Sequence, residues 1–152
     1  MSFFTTMNIA ASGLTAQRAR MDTIAENIAN VNTTRTADGG PYRRRITLFE
    51  EISDLNPFQA VLSGVLGPAG TAHQGRGVRV SRVVESNIPG MLAYDPSHPD
   101  ANEDGYVQMP NVNIVEEMVN MIAATRSYEA NITAMSNVRI LTQRTLEIGQ
   151  GR

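Results

Sequence analysis

The chain contains no cysteine and no lysine. Without thiols there are no disulfides, no thiol nucleophile and no zinc-thiolate centre. Without lysine, all 13 basic residues are arginines, whose planar guanidinium sheds water more readily than an ammonium and tolerates an interface better. Those 13 cations against 15 acidic residues leave a net charge of -2. No strong field of either sign therefore draws the chain to nucleic acid or to anionic lipid. The N-terminal stretch MSFFTTMNIAASGLTAQRAR has no leading cation and no unbroken apolar run. Neither a cleavable signal peptide nor a membrane span is expected there.

What is present is periodicity at the two ends. The 152 residues, 41% of them hydrophobic, fit one domain, or a small domain with appendages, and can support a core. From about Phe4 to Asn32, Met7, Leu14, Met21 and Ile28 recur every seventh position, with Ala10, Ile24 and Val31 three residues after members of that set. This is a heptad stripe, interrupted by Gln17. Within it, IAASG gathers Ala10, Ala11, Ser12 and Gly13, small side chains that let a neighbouring backbone come close. A second helix spans roughly Val112 to Ile148, with Ile114, Met118, Met121, Thr125, Tyr128, Ile132, Met135, Val138 and Leu141 along a drifting stripe. At about 1.5 Å per residue these are rods on the order of 45 and 55 Å, longer than the rest of the chain can cover. The first is poor in strong helix formers, so it orders when its stripe is buried against a partner.

Between the helices the pattern changes. DGGP, Asp38 to Pro41, is a turn signal. In YRRRITLFEEI, Tyr42, Ile46, Leu48 and Ile52 share one parity, and in GVRVSRVVE so do Val78, Val80 and Val84. These read as two half-buried strands of a small antiparallel sheet. Residues 53–76 hold four Gly and two Pro without periodicity and read as a long loop. The stretch from Tyr94 to Pro110 reads as another loop. The expected fold is mainly α with a small β insertion. Helical segments 1–34 and 110–152 pair as an α-helical coiled coil around a β-rich middle, 35–109.

Chemical motifs are weak. Asp100, Asn102, Asp104 and Gly105 match the opening of a calcium-binding loop, but Asn111 stands where a bidentate Glu is required, so a structured turn is the expectation. Arg43, Arg44 and Arg45 lie in a strand pattern without interleaved aromatics, as at a sheet edge or a subunit contact. His73 and His98 have no carboxylate at helical ligand spacing, and Gly75 and Gly77 precede a strand instead of opening a helix. The sequons at Asn32 and Asn131 fit chance, the second lying inside a helical stripe. No catalytic, cofactor or metal site is expected, and no small-molecule substrate. Asn30 or Asn32 is expected to end the first helix in a left-handed conformation. Asn27 and Asn30 lie off the stripe, on a face that either meets a second layer of helices or is solvated.

SGLTAQRARMDTIAENIANVNTT, Ser12 to Thr34, resembles the N-terminal signature of bacterial flagellar rod and hook proteins. VEEMVNMIAATRSYEANITAMSNV, Val115 to Val138, resembles their C-terminal one. Within that superfamily, HPDA, GYV and MPNV, in the segment Tyr94 to Met121, are similar to the FlgC-type proximal rod proteins. The connection 53–76 departs from this likeness, being longer than expected. The resemblance implies an axial subunit exported by the flagellar type III apparatus and assembled in the periplasm with copies of itself, other rod subunits and basal-body ring components. Its assembly interface would comprise Met7, Leu14, Met21, Ile24, Ile28 and Val31 on the first helix. On the second it would comprise Met118, Met121, Tyr128, Ile132, Met135 and Val138. A self-contained coiled-coil adaptor is the alternative.

Overall fold

A computed structural model describes residues 3–52 and 76–149. The long connection expected over 53–76, with His73 and Gly75, falls outside them apart from Arg76. Two helices dominate: α1, Phe3–Ala29, and α2, Ile114–Gly149. In α1 the hydroxyls of Ser12, Thr15 and Thr23 bond back to the carbonyls of Ile9, Ala11 and Ala19, which lets polar side chains sit inside a helix without competing for its ladder. The helix does not end on a left-handed asparagine, because the described residues hold no non-glycine residue at positive φ. Instead the Asn30 amide donates to the Glu26 carbonyl at 3.0 Å while the Val31 amide turns back to Ile28. Side-chain capping replaces the backbone reversal. Helix α2 opens after Pro110 with Asn113 as its cap: its Oδ1 accepts from the Val115 amide at 3.0 Å, and Glu116 and Glu117 occupy the positive first turn.

The helices run antiparallel. Asn27 faces Glu117, Met21 meets Thr125, and Gly13 lies under Asn131. Several of the buried residues of this pair are small: Ala10, Gly13 and Ala16 on α1 and Ala124 on α2. A Cβ on Gly13 would stand 2.9 Å from Asn131 Nδ2, so the small-residue stretch does permit close approach, as its composition implies.

Strands β1, Arg45–Glu51, and β2, Val78–Glu85, form an antiparallel pair lying along α1. Ser12 accepts from the Val78 amide at one end of the contact. Thr47 donates to Thr23 near the middle at 2.8 Å, and Asn27 holds Arg45 at the other end. Ser12 and Asn27 are about 22 Å apart along the helix and β2 is about 24 Å long, so element lengths match. The register slips between Leu48 and Phe49, where Leu48 pairs with Arg82 and Phe49 with Val80. Ser81 is therefore the extra residue of a bulge, and the bulge reverses the parity of β2. Val78 and Val80 turn to α1, while Val84, expected on the same face, pairs with Ile46 on the outer one. The expected parity of β1 is likewise overturned. Arg45 and Thr47 face the helix, drawn there by hydrogen bonds to α1, and Ile46 and Leu48 face outward.

The stretch read as a loop after Tyr94 carries a second sheet, β3, Leu92–Tyr94, against β4, Tyr106–Gln108. Three-residue strands are too short to show a period. Asn102 shapes the turn between them, its Oδ1 accepting from the amides of Asp104 and Tyr106. Asp100 takes a hydrogen bond from Thr34 at 2.8 Å and an ion pair from Arg35. The acidic run is thus a structured turn tied to the segment after α1.

Gly77 has φ +122, and a Cβ there would lie 2.1 Å from Ser12 Oγ. Gly77→Ala should lower the free energy of unfolding by about 2 to 3 kcal/mol, read from urea or thermal denaturation of the purified chain.

Candidate functional site

Three chain segments converge on a buried polar junction at one end of the helix pair. Its centre is Asn27, 1% exposed, which uses both ends of its amide twice. Its Oδ1 accepts from the Tyr42 hydroxyl and the Arg45 amide, each at 2.9 Å. Its Nδ2 donates to the Arg45 carbonyl and to Glu117 Oε2, again at 2.9 Å. Glu117 is also 1% exposed, a carboxylate that would be prohibitively costly to bury alone. Arg44 supplies its countercharge, placing Nη2 at 2.6 Å and Nε at 2.9 Å from Oε1 and leaving Oε2 to Asn27. Arg44 is itself anchored by its backbone amide, which donates to Asn111 Oδ1 at 2.7 Å, while Asn111 Nδ2 donates to the Ile88 carbonyl.

The junction is thus fully partnered and joins α1, the lead into β1, and the first turn of α2. Burial pushes the Tyr42 phenol up to about 12 from 10.0, with the Glu26 carboxylate adding to the effect. A neutral phenol is the form that can donate to Asn27. The asparagine read as lying on a layer-facing or solvated surface is neither, because hydrogen bonds from two strand-lead groups and from α2 enclose it. The arginine run divides. Arg44 closes on Glu117, Arg45 reaches Glu26 and Glu85, and Arg43 is exposed, with Asn87 as its hydrogen-bond partner. Two of the three therefore make ion pairs within the chain, where α1, the lead into β1 and α2 meet.

The stripe residues lie in other surroundings. Ile24 is buried; Leu14, Met21, Ile28, Val31, Met121, Tyr128, Met135 and Val138 are half-buried; Met7, Met118 and Ile132 are exposed. The structure brings Met21 to Thr125, whose hydroxyl lies 3.6 Å from the sulfur. Along the rest of α2, Val115, Val119, Ile122, Leu141 and Leu146 are exposed, and Ala124 is the one buried apolar residue among those described. The molecule has its polar groups at the junction inside and its large apolar groups on the outside of α2. No group of three or more His, Cys, Asp or Glu that could hold a metal occurs among the described residues.

Asn27→Leu strands Glu117 Oε2, the Tyr42 hydroxyl and both backbone groups of Arg45, and should cost about 3 to 5 kcal/mol of stability. Tyr42→Phe should cost about 1 kcal/mol. Because the folded phenol titrates above the unfolded one, its contribution is complete below pH 10.0 and is lost as pH rises towards about 12. The free energy of unfolding should fall more steeply across that window in the parent chain than in the phenylalanine variant.

The model for "Flagella basal body rod protein" matches residues 7–35, and that for "Flagellar basal body rod FlgEFG protein C-terminal" matches 103–148. The two matches cover most of α1 and of α2, with the Asn27 and Glu117 sides of the junction. Whole-chain relatives bear the name flagellar basal-body rod protein FlgC. That of Bacillus subtilis is 43% identical over 99% of this chain and 100% of its own length. That of Borreliella burgdorferi is 46% identical at the same coverage, and that of Salmonella typhimurium 39%. Likeness running from end to end, with the rod signatures on the two helices that meet at the junction, places this chain in the FlgC family of flagellar basal-body rod proteins.

Proposed function

We propose that the protein is a structural subunit of the proximal rod, polymerising through its terminal helices into the hollow axial shaft that carries motor torque to hook and filament. The observation that carries this reading, beside family membership, is the outward apolar surface of α2. Met118 and Ile132 are 54% and 46% exposed, and Val115, Val119 and Ile122 on the same helix are at least as bare. Such a surface is unfavourable in water and gains about 25 cal/mol per Å² when covered. A self-contained adaptor would bury its own helices, whereas α2 buries two side chains among those described, Glu117 and Ala124.

In this reading the heptad residues complete their packing against neighbouring subunits, as knobs of a coiled coil shared between chains. Met7, Met21, Met118, Met121 and Met135 suit non-identical partners, because thioethers fill irregular holes. Successive contacts are heterologous and open, as a helical shaft requires. The partners are copies of the chain, the other rod subunits, the flagellar type III export apparatus and basal-body ring components. The rod crosses the periplasm, which the chain reaches through the flagellar type III export apparatus. The work of the subunit is mechanical, so it has no substrate and no cofactor. The junction then has a mechanical use too, since it fastens the β1–β2 pair to the helices through which torque passes.

Ile132→Asp places a charge where the free chain is exposed, so stability should change by no more than about 0.5 kcal/mol, while burial in the shaft would be prohibitive. The variant should be expressed and folded, absent from purified basal bodies, and non-motile. Normal motility with the variant present in basal bodies would overturn the reading.

A further inference from the structure

Two aspartates of the chain stand immediately before a glycine, Asp38 before Gly39 and Asp104 before Gly105. Such a pair is open to an intramolecular reaction, because glycine has no side chain to keep its amide nitrogen away from the preceding carboxyl carbon. Both aspartates are exposed, and both glycines hold positive φ, 83 at Gly39 and 80 at Gly105. The two glycines differ in what restrains them. Gly105 is buried; its amide donates to the Asn102 carbonyl at 2.9 Å, and its carbonyl accepts from the Asp95 amide at 2.9 Å. A Cβ there would lie 3.1 Å from the Tyr94 ring and 3.2 Å from Pro96, and the Asp104 amide is tied to Asn102 Oδ1. Gly39 is exposed, nothing lies within 4 Å of the corresponding point, and its amide donates to the Thr36 carbonyl at the longer distance of 3.1 Å.

From this contrast we propose that Asp38 is a site of spontaneous isoaspartate formation and that the fold protects Asp104 from the same reaction. The Gly39 amide nitrogen attacks Cγ of the neutral Asp38 carboxyl. The N–Cγ bond forms, the Cγ–OH bond breaks, and the hydroxyl leaves as water with the amide proton. Water then opens the succinimide ring. Opening at the main-chain carbonyl carbon breaks its bond to the Gly39 nitrogen and leaves the chain running through Cγ, with no net change in composition. At Asp104 the same closure would have to turn the Asp104–Gly105 peptide out of its hydrogen bonds and against Tyr94 and Pro96. Isomerisation at Asp38 also reaches the junction. The Tyr42 amide donates to the Thr33 carbonyl at 3.0 Å, and the Thr36 amide to the Gly40 carbonyl at 2.9 Å, so residue 38 lies in a closed loop. An isoaspartate lengthens the main chain of that loop by one carbon, and the strain passes to Tyr42, whose hydroxyl donates to Asn27.

The test holds the purified full-length chain for weeks at neutral pH and physiological temperature, then scores its Asp38 and Asp104 peptides for isoaspartate by electron-transfer fragmentation. Conversion at Asp38 should exceed that at Asp104 several-fold in the folded chain, and the two should become comparable in urea, where the restraint on Gly105 is lost. Asp38→Glu, which would have to close a six-membered ring, should remove the signal at that position. The converted fraction should melt about 2 to 5 °C below the unconverted chain. No conversion at Asp38, equal conversion at the two sites in the folded chain, or a preference for Asp38 that persists in urea overturns the proposal. Conversion with the melting temperature unchanged overturns its link to the junction.

Discussion

Burying the carboxylate of Glu117 is the constraint from which the rest of this architecture follows. A lone carboxylate in a low-dielectric site is among the most unfavourable groups a protein can hold. Here it is tolerated because each oxygen has its own donor, Arg44 on one and Asn27 on the other. The partner on α1 lies 90 positions before it, and Arg44 comes from the chain leading into β1. The site cannot be satisfied by any two of the three segments. Such a junction adds little net stability compared with a well-packed apolar one, but an incomplete version is strongly penalised. It therefore specifies which residues of the two helices face each other and where the sheet begins.

From that fixed end the helix pair becomes progressively less committed. Near the junction, Ile24, Thr23 and Asn27 are buried on α1, and the β1–β2 pair adds its contacts along the same helix. Farther along, contact is made by Ala16, Gly13 and Ala10, and beyond Ala124 no residue of α2 is buried. The antiparallel register that sets Gly13 under Asn131 also carries the end of α2 past the start of α1. One end is held by charge and geometry and the other by small surfaces. Val115, Val119, Ile122, Leu141 and Leu146 of α2 are left exposed.

Much of this was legible in the sequence, and the failures have identifiable causes. Seven-residue recurrence is a local property, so both helices and their approximate limits could be read, as could the close approach at Gly13 and the turn at Asp38 to Pro41, where Gly39 and Gly40 both take φ 83. The pairing of β1 with β2 was legible from their alternation, but the faces were not, because a single extra residue at Ser81 inverts everything beyond it. The second sheet was invisible at three residues per strand. The junction was missed for a different reason. Asn27, Arg44 and Glu117 each have an ordinary local explanation, as a helix-face amide, a strand cation and a first-turn acid, and the 90-residue separation of Asn27 and Glu117 leaves no periodic trace. The remaining signal was the excess of asparagines in ENIANVN over what one helix cap uses.

Two of the three largest fully buried side chains here, Glu117 and Asn27, are polar, and that placement is physically coherent. An apolar core is non-directional and tolerates many arrangements of similar volume, whereas a buried hydrogen-bonded carboxylate tolerates one. A subunit that must present the same surface to several neighbours gains from fixing its own geometry with directional bonds while leaving its adaptable apolar area for contacts between chains. Val115, Val119 and Ile122 occupy the same turns of α2 as Glu117 yet are exposed. A rotation of the helix large enough to bury those three would withdraw Glu117 from Asn27 and Arg44. Holding the carboxylate in place is thus what keeps the apolar face turned outward.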